Sequence, residues 1–189
     1  VILLAFPPLL SSLSIVRERE RGSLTQLQFS PVGAAAFVIG KTIPYTIIGF
    51  LELLIIMIFG ITWFQVPFVG SPLLFGVAAL VYVGAAVGIG IVVSTITKSQ
   101  VVAMLVSLIG TLMPSVLFSG FIFPIFNMPK LFQWYTYLFP ARFFIELSRG
   151  MWLKGNTFAE LWLPMVLLTL YASAMLATAI WRARSLIRR

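Results

Sequence analysis

The chain has 189 residues, 60% of them hydrophobic and only 10% charged, with a formal net charge of +8 and a mean hydropathy of +1.07, a balance that excludes a soluble globular domain. Cysteine and histidine are absent and no aspartate occurs, which removes thiolate nucleophiles, imidazole bases, Cys/His metal sites, Ser-His proteases and aspartyl intramembrane proteases. Without cysteine there are no disulfides, and the redox compartment stays open.

The apolar residues fall in runs of about 20, the helix length that crosses a hydrocarbon core of about 30 Å, and not in the alternating segments of about 10 that transmembrane strands require. The fold class is therefore all-α, a polytopic helical membrane bundle. Five membrane segments are predicted: Val1–Val16, Thr42–Phe64, Leu73–Thr95, Val101–Phe123 and Leu161–Trp181. The first is already in progress at Val1, with no charged leader or small-residue cleavage site, so the chain is expected to be a fragment with the start of that span upstream.

Successive spans alternate in direction. One side then collects Arg17, Arg19, Arg21, Lys41, Lys98, Arg182, Arg184, Arg188 and Arg189, and the other collects Lys130, Arg142, Arg149 and Lys154. The positive-inside rule places the first set in the cytoplasm, with the C-terminal tail, and puts the connection from Pro124 to Glu160 outside. The basic tail reads as a stop-transfer and anionic-lipid anchor, with no nucleic acid required.

After the first segment comes the most charged stretch, Arg17-Glu18-Arg19-Glu20-Arg21-Gly22. Ser23 and Gln26 then have capping-box spacing for a new short helix. Leu24 and Leu27 lie near each other at i,i+3 until Ser30-Pro31 stops it. Periodicity alone leaves two readings, an ordinary solvated loop that fixes topology and a weakly amphipathic segment along the membrane face. Gly40-Lys41-Thr42 invites comparison with a phosphate-binding loop, but Ala35 stands at the first glycine position and no strand precedes it.

Glu52 lies inside the second segment, where an ionisable side chain costs on the order of 3 kcal/mol on insertion scales and marks a candidate functional position. A pathway role and a protonated or hydrogen-bonded carboxyl satisfied by a neighbouring span are both open. Gly84 and Gly88 have the small-x-x-x-small spacing of closely packed membrane helices, and Gly90 extends it. Pro114 is expected to kink the fourth segment, with Ser107, Thr111 or Ser115 able to satisfy freed carbonyls.

In the outer connection, Met128–Tyr137 and Ala141–Leu153 are each too short to span, are separated by Pro140, and carry interfacial Trp134, Tyr135, Tyr137 and Trp152. They are expected to dip into or lie on the outer leaflet. Arg142, Glu146 and Arg149, at i,i+4 and i,i+3, are placed to pair along one helical face; a substrate site is the competing reading.

Two stretches carry a family resemblance. Glu20-Arg21-Gly22-Ser23-Leu24-Thr25-Gln26-Leu27 followed by Ser30-Pro31-Val32, with Gly40-Lys41 and Pro44-Tyr45 at the entry to the next span, resembles the cytoplasmic signature of ABC-2-type transporter permeases, the transmembrane subunits of ABC exporters. Ser119-Gly120 through Pro124, Asn127 and Pro129, then Tyr137-Leu138-Phe139-Pro140 and Arg149-Gly150, is similar to that family's outer re-entrant segment. Ser23 replaces the commoner threonine, and Phe126 stands where relatives often have an acid.

The resemblance implies a single permease domain over 1–189, holding most of the second through the sixth of the family's spans, without the first span and any outer domain. Within it, 17–29 is a cytosolic coupling segment and 125–158 the outer re-entrant segment. It further implies that Arg17, Glu18, Arg19, Glu20, Arg21, Gly22, Ser23, Leu24 and Leu27 couple to a groove on an ABC ATPase in a separate subunit or domain, which uses ATP and magnesium. This chain itself is implied to bind no cofactor. A second permease copy or a paralogue, lipid surroundings, export as the direction and residence in the cell inner membrane follow from the same resemblance. The outer motif residues are Gly120, Pro124, Asn127, Pro129, Pro140, Arg142, Glu146 and Arg149. An apolar pathway would suit hydrophobic, drug-like or lipid-like cargo. The alternatives are a structural or sensory membrane subunit, or a membrane-embedded enzyme using Glu52, Glu146 or Glu160, whose expected positions do not converge.

Overall fold

The computed structural model describes residues 5–22 and 33–187. The helices in chain order are α1 (Phe6–Glu20), α2 (Ala34–Thr62), α3 (Pro72–Ile96), α4 (Gln100–Phe118), α5 (Lys130–Tyr135), α6 (Pro140–Arg149) and α7 (Phe158–Ile187), and no strand occurs among the described residues. Three single turns join the pieces between α4 and α7: Ile125–Asn127, Thr136–Leu138 and a wider turn at Gly150–Lys154. Helices α2, α3, α4 and α7 are long and apolar enough to cross a membrane. The chain is thus an all-α, multi-pass membrane bundle.

Helix α3 is its axis. The most apolar stretch of α3 is 56% buried, against 11% for α2 and 22% each for α4 and α7, so the other spans keep most of their surface for lipid while α3 is enclosed. The glycines of α3 explain how. A Cβ on Gly88 would lie 3.1 Å from Met175 Cβ of α7, and one on Gly90 would run into Ser11 Oγ and Pro8 O of α1 and lie 2.7 Å from Pro8 Cα. Close approach of helix backbones is what small residues allow where no hydrophobic force separates helix from lipid. Gly84 meets nothing within 4 Å, so the expected Gly84/Gly88 pair is in fact a Gly88/Gly90 pair that admits different helices on two faces.

Helix α4 is held to α1 by a polar seam. Ala103, Ser107, Thr111 and Ser115 are all buried along α4, and Ser12 and Ser107 share a hydroxyl–hydroxyl hydrogen bond of 2.8 Å. Ser11 Oγ donates to Val87 O at 3.2 Å, which ties α1 to α3 as well. Hydrogen bonds between membrane helices average about 0.6 kcal/mol in double-mutant cycles. A Ser12→Ala/Ser107→Ala cycle, read by thermal unfolding in detergent, is therefore expected to give a coupling energy of about 0.6 kcal/mol. The hydroxyls below this bond do not do what the sequence suggested. Pro114 frees the carbonyl of Gly110, four residues back, whereas Thr111 donates to Ser107 O at 2.6 Å and Ser115 to Thr111 O.

Several boundaries differ from those predicted, and α1 runs past Val16 to Glu20 and α7 past Trp181 to Ile187. Helix α2 starts at Ala34, well before Thr42, because Ala34-Ala35-Ala36 are the strongest helix formers and Gly40 faces open space; Gly40-Lys41 and Pro44-Tyr45 lie inside it. Helix α4 stops at Phe118 and not Phe123, because the chain turns at Gly120, whose φ of +82 is left-handed.

The segment between α4 and α7 enters the bundle. Helix α6 buries Phe143, Phe144 and Leu147, and Phe144 stacks on Tyr82 with ring centres 4.2 Å apart and planes 5° from parallel. At 1.5 Å per residue, Tyr82 lies about 15 Å along α3 from Pro72, near the middle of a membrane-thick helix. This helix inserts and does not rest on the surface. Trp152 packs edge-on against Phe68 and Phe75 at 4.9 and 6.0 Å, beside the first turn of α3.

Candidate functional site

The two charged clusters of the sequence lie at opposite ends of the bundle, and each is built by different elements. One begins where α4 ends. Gly120 reverses the chain, and Ser119 Oγ accepts a hydrogen bond from Phe121 N–H at 3.3 Å. The 3₁₀ turn after Pro124 closes through Asn127 N–H to Pro124 O at 3.0 Å. Pro129 O then accepts from Phe132 and Gln133 at 2.9 and 3.2 Å to start α5, and Pro140 opens α6 at a first-turn position where no N–H is needed. Three of the motif residues, Asn127, Pro129 and Pro140, thus shape the backbone.

The other five, Gly120, Pro124, Arg142, Glu146 and Arg149, line one cavity of about 690 Å³, together with Gln133, Lys154, Asn156 and Glu160. Its charged wall is partly committed to the fold. The Arg142 guanidinium donates to Gln133 O at 3.0 Å and to Thr136 Oγ1, and lies 3.7 Å from the centre of the Tyr137 ring. Arg149 donates to Phe121 O at 3.3 Å. Glu160 Oε2 accepts from Thr157 N–H at 3.2 Å, capping the first turn of α7.

The expected pairing of Arg142 with Glu146 and Arg149 is not formed; among the described residues the ion pair is Lys41–Glu18. The reason is geometric. Side chains on a helix lean toward its N-terminus, and Arg142 sits in the first turn of α6, so its guanidinium reaches back over the preceding turn. The partners it finds there, Gln133 and Thr136, were missed in the sequence, where a polar residue before a proline-started helix is only a weak hint.

At the other end, the last turn of α1 is tied to three helices. Arg19 donates to Thr97 O, the C-cap of α3, at 3.3 Å. Glu20 accepts from the backbone N–H of Gln100, the first residue of α4, at 2.8 Å and from the Gln100 side-chain amide. Lys41 of α2 pairs with Glu18. The Gln100 bonds hold the exposed Glu20 carboxyl below its ordinary pKa. A depressed pKa in the folded chain means that this contact is present above the usual carboxylate range and is lost as the pH falls through the lowered value. Arg17, Arg21 and Gly22 are exposed. Of the expected coupling residues, Ser23, Leu24 and Leu27 lie outside the described residues.

Glu52 is half-buried on α2 and lines neither the 690 Å³ cavity nor a second, apolar crevice of about 520 Å³ between α2, α3 and α7. That crevice is walled by Ile43, Ile47, Leu80 and Leu176, with Thr42, Thr46 and Gly84 among them. The structure therefore brings Glu146 and Glu160 to one cavity and leaves Glu52 apart. No group of three or more metal-ligating side chains occurs among the described residues.

Comparison with known proteins agrees on one family. A family model described as ABC-2 family transporter protein matches residues 1–181. The probable multidrug ABC transporter permease YbhS of Escherichia coli K12 is 33% identical over 180 residues, covering 93% of this chain and 46% of that protein. The probable multidrug ABC transporter permease YbhR of the same strain is 34% identical over 154 residues, covering 82% of this chain and 42% of that one. ABC transporter G family member 20 of Dictyostelium discoideum is 26% identical over 161 residues, 83% of this chain and 22% of its own length. The chain thus spans less than half the length of these relatives. No solved structure matches it.

Proposed function

Because the chain belongs to the ABC-2 family of transporter proteins, we propose that it is the transmembrane permease part of an ATP-binding-cassette exporter, working as a dimer with a second copy or a paralogue. Hydrolysis of ATP with magnesium takes place in a separate ATPase subunit or domain, and this chain performs conformational work. The observation that carries the reading is the family match over residues 1–181, on a chain that is largely four long apolar helices.

The cargo is hydrophobic, drug-like or lipid-like. Two features support that class: the multidrug permease names of the relatives, and the apolar crevice between α2, α3 and α7, which gives an acyl or aromatic group a lateral way in from lipid. The cavity at the end of the bundle away from the α1 charges, with Glu146 and Lys154 on a largely apolar wall, is a vestibule suited to release. The segment from Arg17 to Phe29 passes closure of the dimerising ATPases to the spans, which shift between two packings that open to one side or the other. The chain lies in the cell inner membrane with Arg182, Arg184, Arg188 and Arg189 on the cytoplasmic side.

The test is purification of the full-length protein together with the ATPase encoded beside it. We expect a nucleotide-hydrolysing partner to be retained, and reconstituted vesicles to move a hydrophobic dye only with ATP. Failure to retain an ATPase under any condition would remove the motor and leave a structural or sensory membrane subunit.

A further inference from the structure

We propose that the last turn of α1 is an intramolecular clamp: Glu18, Arg19 and Glu20 fasten the near ends of α2, α3 and α4, so that a push at this end of α1 is passed to three spans at once. The inference rests on the permease reading above and changes what these side chains do in it, from touching the ATPase to holding the bundle.

The bonds match what each helix end needs. The last carbonyls of a helix have no partner within it and sit at the negative end of its dipole; Arg19 supplies a cation and a donor to Thr97 O at the end of α3. The first N–H groups of a helix are in the opposite condition. Ser99, at the N-cap of α4, makes no side-chain cap, and Glu20 fills that role from α1 by accepting from Gln100 N–H at 2.8 Å. Glu18 holds Lys41 in the second turn of α2.

Helix α1 packs on α2, α3 and α4, whereas α2 and α4 share no extended contact with each other. The end of α1 is therefore the common point at which a push is divided among three spans. Flanking the clamp residues, Arg17 and Arg21 are exposed at i,i+4 and stay available for an outside partner. The charged stretch thus separates into side chains that hold and side chains that are presented.

The experiment uses the full-length protein with its ATPase. Arg19→Gln, Glu20→Gln and Glu18→Lys are compared for ATPase retention, basal hydrolysis and transport, and Glu18→Lys is combined with Lys41→Glu. Independently, Glu20→Cys with Gln100→Cys is oxidised in membranes and the bridge is read by mass spectrometry. A clamp predicts normal retention and basal hydrolysis, transport reduced about tenfold in each single variant, recovery in the charge-swapped pair, and a ready 20–100 disulfide. Loss of ATPase retention in the glutamine variants, unchanged transport in all variants, or absence of the disulfide would each overturn it. If wild type retains no ATPase, the permease reading fails with the relay built on it, while the disulfide still reports whether the two helix ends meet.

Discussion

Alanine at Gly90 is expected to lower the thermal midpoint of the purified protein by about 5 °C, while alanine at Gly84 leaves it unchanged or slightly raised. Both sites lie on α3, and both substitutions gain helix propensity of up to about 1 kcal/mol. They differ in what the new methyl meets. At Gly90 it enters the backbone of α1 at Pro8 O and Pro8 Cα, and a backbone cannot rotate aside as the end of a long side chain can. Helix α1 must retreat, which costs about 1–3 kcal/mol for overpacking and weakens the bonds of Ser11 to Val87 and Ser12 to Ser107. At Gly84 the methyl meets nothing. Differential scanning fluorimetry of the two variants in the same detergent decides the matter: equal midpoints would mean that α1 and α3 are not in backbone contact at Gly90.

The contrast between these two glycines also marks how far the sequence could be read. The spans were legible because hydropathy is a property of windows of about 20 residues, and a local error in one residue does not move it. The small-residue motif told that α3 packs closely, but a spacing of four along a helix names a face and not its partner, and the glycines in use proved to be Gly88 and Gly90. The outer segment was legible as two short helices separated by Pro140; that Phe144 reaches Tyr82 was not, since depth depends on where α6 enters the bundle. The coupling stretch shows the limit most plainly. Its charges were visible, yet Glu20 and Gln100 are joined across a separation of 80 residues, and nothing in either neighbourhood announces the other. Helix ends left without caps of their own, such as that of α4 after Ser99, are where such distant partners are worth seeking.

Arg142 offers the sharpest separation of the sequence's expectation from the structure's geometry. If Arg142 worked through Glu146 along the face of α6, then Arg142→Ala and Glu146→Gln would have the same effect. The structure assigns its partners to the preceding turn instead: Gln133 O, Thr136 Oγ1 and the Tyr137 ring. Hydrogen bonds from a charged donor contribute about 1.5–3 kcal/mol and a cation over an aromatic ring about 0.5–2 kcal/mol. Arg142 is only half-buried, so solvent screening places the total near the low end, about 2 kcal/mol. That corresponds to about a 30-fold fall in protection of the amides of α5 and the Thr136–Leu138 turn against hydrogen exchange in the Arg142→Ala variant. Arg142→Lys is expected to recover only part of it, because an ammonium lacks the planar fork that serves two acceptors and stacks on a ring. Glu146→Gln is expected to exchange like wild type. Hydrogen exchange read by mass spectrometry on the three variants tests this directly, and a Glu146→Gln profile matching that of Arg142→Ala would restore the pairing along α6. Should the outer segment loosen as expected, one wall of the 690 Å³ cavity loosens with it, and transport is expected to fall while ATPase retention at the far end of the bundle is preserved.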